Sequence, residues 1–302
     1  MYTVKLAAAG SESKSRIGSK ALQLAKLSEL HVAVPGGFVV TSEALSLFLT
    51  QNSLLFGHME DNVEQRFSRA ALPEEVWREV ASAFEWLYEG ECNDAPIAVA
   101  VRSSSSAEDL EAASFAGQYE TILNVTSLAH LMESLKRCWA SLFSSRVRAY
   151  ALQNDLKWDA AGLPMGVLVQ RMVQADVSGV IFSINPVTQN RDEIVINASY
   201  GLGEAVVSGL VTPDAFYVNK TDGHIVRELG LKELKIVAKD KETVEAETTE
   251  EEQNRFCLND AQITELVRQT TAIEAFFARP VDIEFAVKDS RVYILQARPV
   301  TG

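Results

Sequence analysis

The twenty residues before the final Thr-Gly constrain the fold more than any other stretch. In "VDIEFAVKDSRVYILQARPV", two alternating apolar and polar runs flank the polar turn Asp289-Ser290, the pattern of a β-hairpin. If opposed residues sum to about 580, in a near-symmetric register around that turn, Glu284 faces Gln296 and Asp282 faces Arg298. Because side chains alternate along a strand, these four polar residues share one face. Ile283, Phe285, Val287, Tyr293, Leu295 and Ala297 are then expected on the other, as core. An acid beside an amide oxygen and an arginine suits a magnesium–polyphosphate group: magnesium prefers oxygen ligands and leaves part of its shell to phosphates, and a guanidinium forks onto phosphate oxygens. The same pattern also suits a solvent-facing hairpin with ordinary cross-strand pairs.

Upstream, "NDAQITELVRQTTAIEAFF" predicts a helix capped by Asn259 or Asp260, with Ile263, Leu266, Val267, Ile273, Phe276 and Phe277 on its buried face. Strands are expected in "APIAVAVR", "ETILNV", "MGVLVQRMV", "GVIFSINP" and "EIVINASYGLGEAVV". Helices are expected in "IGSKALQLAKLSEL", with a stripe of Leu22, Ala25, Leu27 and Leu30, in "PEEVWREVASAFEWLYEG", and in the long "LAHLMESLKRCWASLFSSRVRAYALQ". The fold class is therefore α/β (α+β). The acidic tract from about 235 to 253 has few large apolar residues and is expected to be a solvated loop.

The stretch "AVRSSSSAEDLEAASFAGQYET" reads as a strand that delivers Arg102 into a Ser-rich loop. Such a loop either connects elements or lies against phosphates, with Arg102 neutralising charge and Gly117 allowing close approach. Lys20, at a helix start, has the same two readings. The "YGLGE" turn lacks the spacing of a dinucleotide fingerprint and reads as a tight turn. His31, His58, His130 and His224 have no nucleophile or paired acid nearby in sequence, so no triad is visible.

A formal charge of −13 and a pI near 4.9 disfavour nucleic-acid and anionic-membrane partners, so any anion site must be local. Cys92, Cys138 and Cys257 are far apart, with neither a zinc spacing nor a disulfide framework. No run approaches the length of a spanning helix. The expectation is a soluble cytoplasmic protein with nothing removed.

Taken together, "AVRSSSSAEDLEAASFAGQYETILNV", "CWASLFSSRVRAY", "NASYGLGEAVVSGLVTPDAFYV" and "DIEFAVKDSRVYILQARPVT" resemble the N-terminal ATP-binding domain of the phosphoenolpyruvate synthase, pyruvate phosphate dikinase and rifampin phosphotransferase family. The resemblance covers essentially the whole chain. It implies an ATP-grasp-like fold of two lobes with the nucleotide between them, here 1–190 with the Ser-rich loop and 191–302 with the hairpin. By the same resemblance Lys20 and Arg102 hold ATP phosphates, Gly117 and Thr121 line the loop over them, and Gln170 lies beside the nucleotide. Glu284 and Gln296 bind magnesium and ATP, and Arg298 the phosphates. Lys20, Arg102 and Arg298 are the catalytic candidates, ATP and Mg²⁺ the cofactors.

In that family ATP is cleaved to AMP and phosphate, and a phosphoryl group passes to a histidine on a mobile domain for delivery to a small acceptor such as pyruvate or an antibiotic. None of the four histidines here has the Gly-rich Thr-Ser-His context of the carrier. The expectation is an excised domain, or a subunit that works with a histidine-bearing phosphocarrier partner, the acceptor lying on other domains; the alternative is a non-catalytic nucleotide-binding regulatory subunit. One departure stands out: the family's Gly-Gly-Lys is Gly18-Ser19-Lys20 here, which requires negative φ at Ser19.

Overall fold

A computed structural model describes residues 1–54, 62–89, 97–106, 119–147, 149 and 163–300, and the backbone of 109–110 and 113–114. The chain forms two compact units, one of Met1–Lys26 with Gly36–Met172 and one of Leu27–Pro35 with Val173–Gly302. Both are mixed α/β, as the alternation of patterns predicts.

The first unit is built on five antiparallel strands in the order β1 (Thr3–Lys5), β2 (Gly37–Val40), β7 (Met165–Arg171), β3 (Val99–Ser105), β6 (Thr121–Val125). A two-residue ladder joins β4 (Asp109–Leu110) to β5 (Ala113–Ser114). Alternation assigns the faces of the large sheet. Phe38, Val40, Val99, Val101, Val167 and Val169 enter one core with residues of α2 (Ser42–Gln51), α3 (Val63–Arg69), α4 (Glu74–Tyr88) and α5 (Leu128–Ser141). Trp139, fully buried, packs against Phe48 at its centre, the tilted rings 5.1 Å apart between centroids. Helix α1 (Lys14–Leu27) meets the opposite side of β3 and β7. A Cβ added at Gly18 would lie 1.8 Å from the Ser104 carbonyl oxygen, and one at Gly166 would lie 2.6 Å from the Ile17 carbonyl oxygen.

Three expectations change here. The buried side of α1 includes Ile17, Ala21, Leu24, Ala25 and Leu27, so Ala25 and Leu27 of the expected stripe are buried, whereas Leu22 and Leu30, the latter past the end of the helix, are half-exposed. The long helix after Ser127 stops at Ser141. And β3 does not end at Arg102: Ser103, Ser104 and Ser105 continue it, buried and paired with β7.

The second unit carries six antiparallel strands in the order β11 (Ile225–Glu228), β10 (Asp214–Asn219), β9 (Glu193–Tyr200), β8 (Val177–Phe182), β14 (Val281–Lys288), β15 (Arg291–Pro299). The short α6 (Glu204–Val207) follows β9, and α8 (Asp260–Phe277) precedes β14. Asn259 caps α8 reciprocally with Gln262. Its buried side is Ile263, Leu266, Gln269, Thr270 and Ile273, whereas Phe276 and Phe277 reach solvent and pair edge to face.

The acidic tract is not a loop. Leu234–Lys239 (β12) and Glu242–Glu247 (β13) form a hairpin about Asp240 and Lys241, and Glu250–Gln253 (α7) follows with Thr249 and Glu252 as a capping box. Charge composition hid it: Lys239 faces Glu242 across the strands, Lys235 pairs with Glu252 at 2.7 Å, and the Ile236 carbonyl accepts the Leu202 N–H at 2.8 Å.

Candidate functional site

In the first unit the sequence-predicted residues converge on the face of the sheet away from the large core. Register sets Arg102 opposite Leu168 on β7 and Thr121 on β6, and Gln170 opposite Ala100, so Arg102, Thr121 and Gln170 share that face. Arg102 Nη1 donates to Gln170 Oε1 at 3.4 Å. Both are buried, whereas Thr121 is exposed. Lys20 comes to the same place from α1: Gly18 takes the left-handed kink, Ser19 is outside the positive-φ residues as required, and the helix resumes with the Ala21 N–H donating to Ser104 Oγ at 3.1 Å. Lys20, 8% exposed, donates from Nζ to the Ser103 carbonyl at 2.9 Å.

The serines therefore do something other than cover a ligand. Ser103 Oγ donates to the Glu120 carbonyl at 3.0 Å, the Ser103 carbonyl takes Lys20, and Ser104 Oγ restarts α1. They lock the backbone that carries Arg102. Small hydroxyl side chains suit this strand because α1 approaches too closely at Gly18 for bulk. The Ser-rich loop expected to start after Arg102 therefore does not include Ser103–Ser105, which belong to β3. Gly117 lies outside the described residues.

In the second unit the hairpin keeps the predicted register at its functional end: Asp282 pairs with Arg298 and Glu284 with Gln296. Asp289 and Ser290 both have positive φ, 49° and 63°, as a tight two-residue turn requires. A bulge between Glu284 and Phe285 then shifts the pairing, so Phe285 faces Ile294. Beyond the bulge Val292 and Ile294 are buried, while Tyr293 and Leu295 are half-exposed, which corrects the core face expected for β15. The bulge keeps apolar Val292 and Ile294 inward without turning Gln296 and Arg298 away from Glu284.

Arg298 grips Asp282 Oδ2 from Nε at 3.0 Å and Nη2 at 2.7 Å, with the guanidinium side chain 31% exposed. Burial raises the Asp282 pKa; Arg298 opposes this and the Glu284 charge adds to it. Among the described residues no group of three or more His, Cys, Asp or Glu could hold a metal. The donor set here is one carboxylate, Glu284, directly opposite one amide, Gln296, which fits a magnesium ion that arrives with most of its ligands on a polyphosphate.

One candidate was missed. Asn197 on β9 faces Val180, which faces Glu284, so it lies on the same line across the sheet. The available signal was a lone amide inside the apolar alternation "EIVINASY". Of the histidines, His31 and His224 are exposed and His130 is half-buried at the start of α5, while His58, like Cys92, lies outside the described residues. Cys138 and Cys257 are free and buried, and burial pushes both thiols well up, so neither is a nucleophile at neutral pH.

Residues 14–302 match the family model described as pyruvate phosphate dikinase, AMP/ATP-binding domain. The chain belongs to that family. It is 44% identical to the uncharacterized phosphotransferase YvkC of Bacillus subtilis over 100% of this chain and 35% of the relative. It is 36% identical to the rifampicin phosphotransferase of Bacillus subtilis (95% of this chain, 34% of the relative) and 35% identical to a probable phosphoenolpyruvate synthase of Methanothermobacter thermautotrophicus (94% and 44%). The chain thus spans about a third to under a half of these curated relatives. Among solved structures it is similar to a D-alanine–D-alanine ligase from Helicobacter pylori at 9% identity and a TM-score of 0.36, covering 93% of this chain and 53% of that one, a likeness too distant to decide anything by itself. No helix of the described residues is long and apolar enough to cross a membrane.

Proposed function

We propose that this chain is the ATP-binding and ATP-cleaving module of a dikinase-type phosphotransferase. The observation that carries the reading is the register of β14 and β15, which sets Glu284 against Gln296 and Asp282 against Arg298 on one face, in a chain of the AMP/ATP-binding family. Glu284 and Gln296 would hold magnesium, which would neutralise phosphate charge. Arg298, already oriented by Asp282, would fork onto phosphate oxygens. In the first unit Lys20 and Arg102 supply cations rigidly supported by β3, with Thr121 and Gln170 on the same face as polar contacts, and Gly117 is proposed, from the family resemblance alone, to contact the phosphates. Phosphoryl transfer depends mainly on positioning and electrostatics, so cations fixed by packing are the form such a site should take.

On this reading ATP is converted to AMP and phosphate, and a phosphoryl group passes to a histidine on another domain or subunit, then to pyruvate or an antibiotic-like small molecule bound elsewhere. The names of the phosphotransferase and phosphoenolpyruvate synthase relatives support this class of reaction. The test is calorimetry of magnesium-ATP binding, with and without Glu284→Ala, followed by product analysis with a histidine-domain partner. Magnesium-dependent binding weakened by the substitution, and AMP as product, is the expected result. ATP bound and left intact would support a regulatory binding module instead, and no binding would overturn the reading.

A further inference from the structure

β9 runs through the interior of the six-stranded sheet, between β8 and β10, and Asn197 sits near its middle. Directly opposed residues of antiparallel strands share a face, so Gln296, Glu284, Val180 and Asn197 form one row. The neighbours Ile196 and Ala198 are fully buried on the reverse side, which fixes the direction of the Asn197 side chain. It is half-buried, and its amide makes no hydrogen bond to the described residues.

An asparagine here does the fold no service. Asn is disfavoured in strands, and a β-branched residue would pack this central position better. A half-buried amide with unused donors and acceptor is also costly in the absence of a partner. Local choices that oppose the fold mark places shaped by a ligand. The covered part of this face ends just short of Asn197: a Cβ on Gly203, ahead of α6, would stand 3.8 Å from Ser178 Oγ, and Ser199 is fully buried. From Asn197 and Val180 onward the row is half-exposed through Glu284 to Gln296.

Which atom of a magnesium nucleotide would Asn197 meet? Two strand spacings, roughly 10 Å between backbones, separate it from Glu284. Ligands of one magnesium ion at about 2 Å lie within roughly 4 Å of one another, which suits Gln296, directly opposite Glu284, better than the short side chain of Asn197. Between Asn197 and Glu284 the floor is the apolar Val180, with no competing charge. We propose that Asn197 is a further binding residue of the nucleotide site, its Nδ2 donating to a non-bridging phosphate oxygen of a magnesium nucleotide held at Glu284 and Gln296.

This rests on the nucleotide reading above, and the experiment separates the two. Magnesium-ATP is titrated calorimetrically into the full chain and into Asn197→Ala, Asn197→Asp and Asn197→Thr, with melting curves for each. Asn197→Ala is expected to bind about tenfold more weakly, the size of one hydrogen bond to a charged group, at unchanged melting temperature. Asn197→Asp should bind more weakly still, since a carboxylate repels phosphate. Asn197→Thr suits a strand and serves if the alanine variant folds poorly; it too should lose affinity, having a single shorter donor. Wild-type affinity in the alanine and threonine variants, or in the aspartate variant, overturns the proposal while leaving the nucleotide site standing. Failure of the wild-type chain to bind magnesium-ATP overturns both.

Discussion

Two aspartate–cation pairs in the same unit show how one chemistry serves opposite ends. Asp214 and Lys232 meet at 2.6 Å with both side chains 0% exposed. Asp214 also accepts the Gly230 and Cys257 N–H groups at 2.8 Å each, and Lys232 Nζ also donates to the Gly230 carbonyl at 2.9 Å. Every strong donor and acceptor is used within the chain, so the pair joins β10 to the segments around 230 and 257 and has nothing left for a ligand. Asp282 and Arg298 meet at 2.7 Å, but with side chains 16% and 31% exposed and on the row beside Glu284 and Gln296. Here both bonds fall on one carboxylate oxygen, Oδ2. The first pair holds the fold together; the second holds a guanidinium in position at an open face.

The comparison breaks most visibly at Lys232. Lys232→Ala strands a buried carboxylate and is expected to cost about 3–5 kcal/mol, read from denaturant unfolding; a loss below about 1 kcal/mol would mean that the pair is not structural. Arg298→Ala should reverse the pattern, with stability within about 1 kcal/mol of wild type and magnesium-ATP affinity down by about a hundredfold in calorimetry. Unchanged affinity there would remove Arg298 from the site.

A smaller effect tests Asp282. Its pKa is raised by burial and by Glu284, so the folded state binds more protons than the unfolded one just above the ordinary aspartate range. This contribution to stability is fully present below the unfolded pKa and is lost as pH rises through the folded one. Asp282→Asn should flatten that slope in melting temperature against pH. The smallest effect is at Glu265, whose pKa is lowered to about 2 by Arg268 and Gln269. Its stability is present above the usual glutamate range and lost as pH falls toward 2, and because the pair is exposed, Glu265→Gln should cost under about 1 kcal/mol at pH 7.

Much of the second unit's site was legible because the register of a hairpin lies within one residue of a count from its turn. Counted strictly from the two-residue turn, which pairs Lys288 with Arg291, Glu284 would face Leu295; the bulge between Glu284 and Phe285 adds the residue that sets Gln296 against Glu284 and Arg298 against Asp282. A bulge is set by packing on both sides of a strand and leaves no mark in one strand's pattern. The serines misled for a related reason. Residues that favour loops were placed in a buried strand because α1 comes too close at Gly18 for larger side chains, and that approach involves residues more than eighty positions apart.

What the sequence determined by itself is the hairpin turn, the cap of α8 and the family to which its motifs belong. The turn and the cap depend on residues within one or two turns of the chain. Tertiary structure decided the rest. It gathered Arg102, Gln170 and Thr121 onto one face across three strands, aligned Asn197 with Glu284 across another three, and drew residues 27–35 into the second unit, where the Ala33 carbonyl accepts the Ile294 N–H at 2.8 Å. Pairings between distant segments are chosen by which faces can be buried together, and no short stretch of sequence contains that choice.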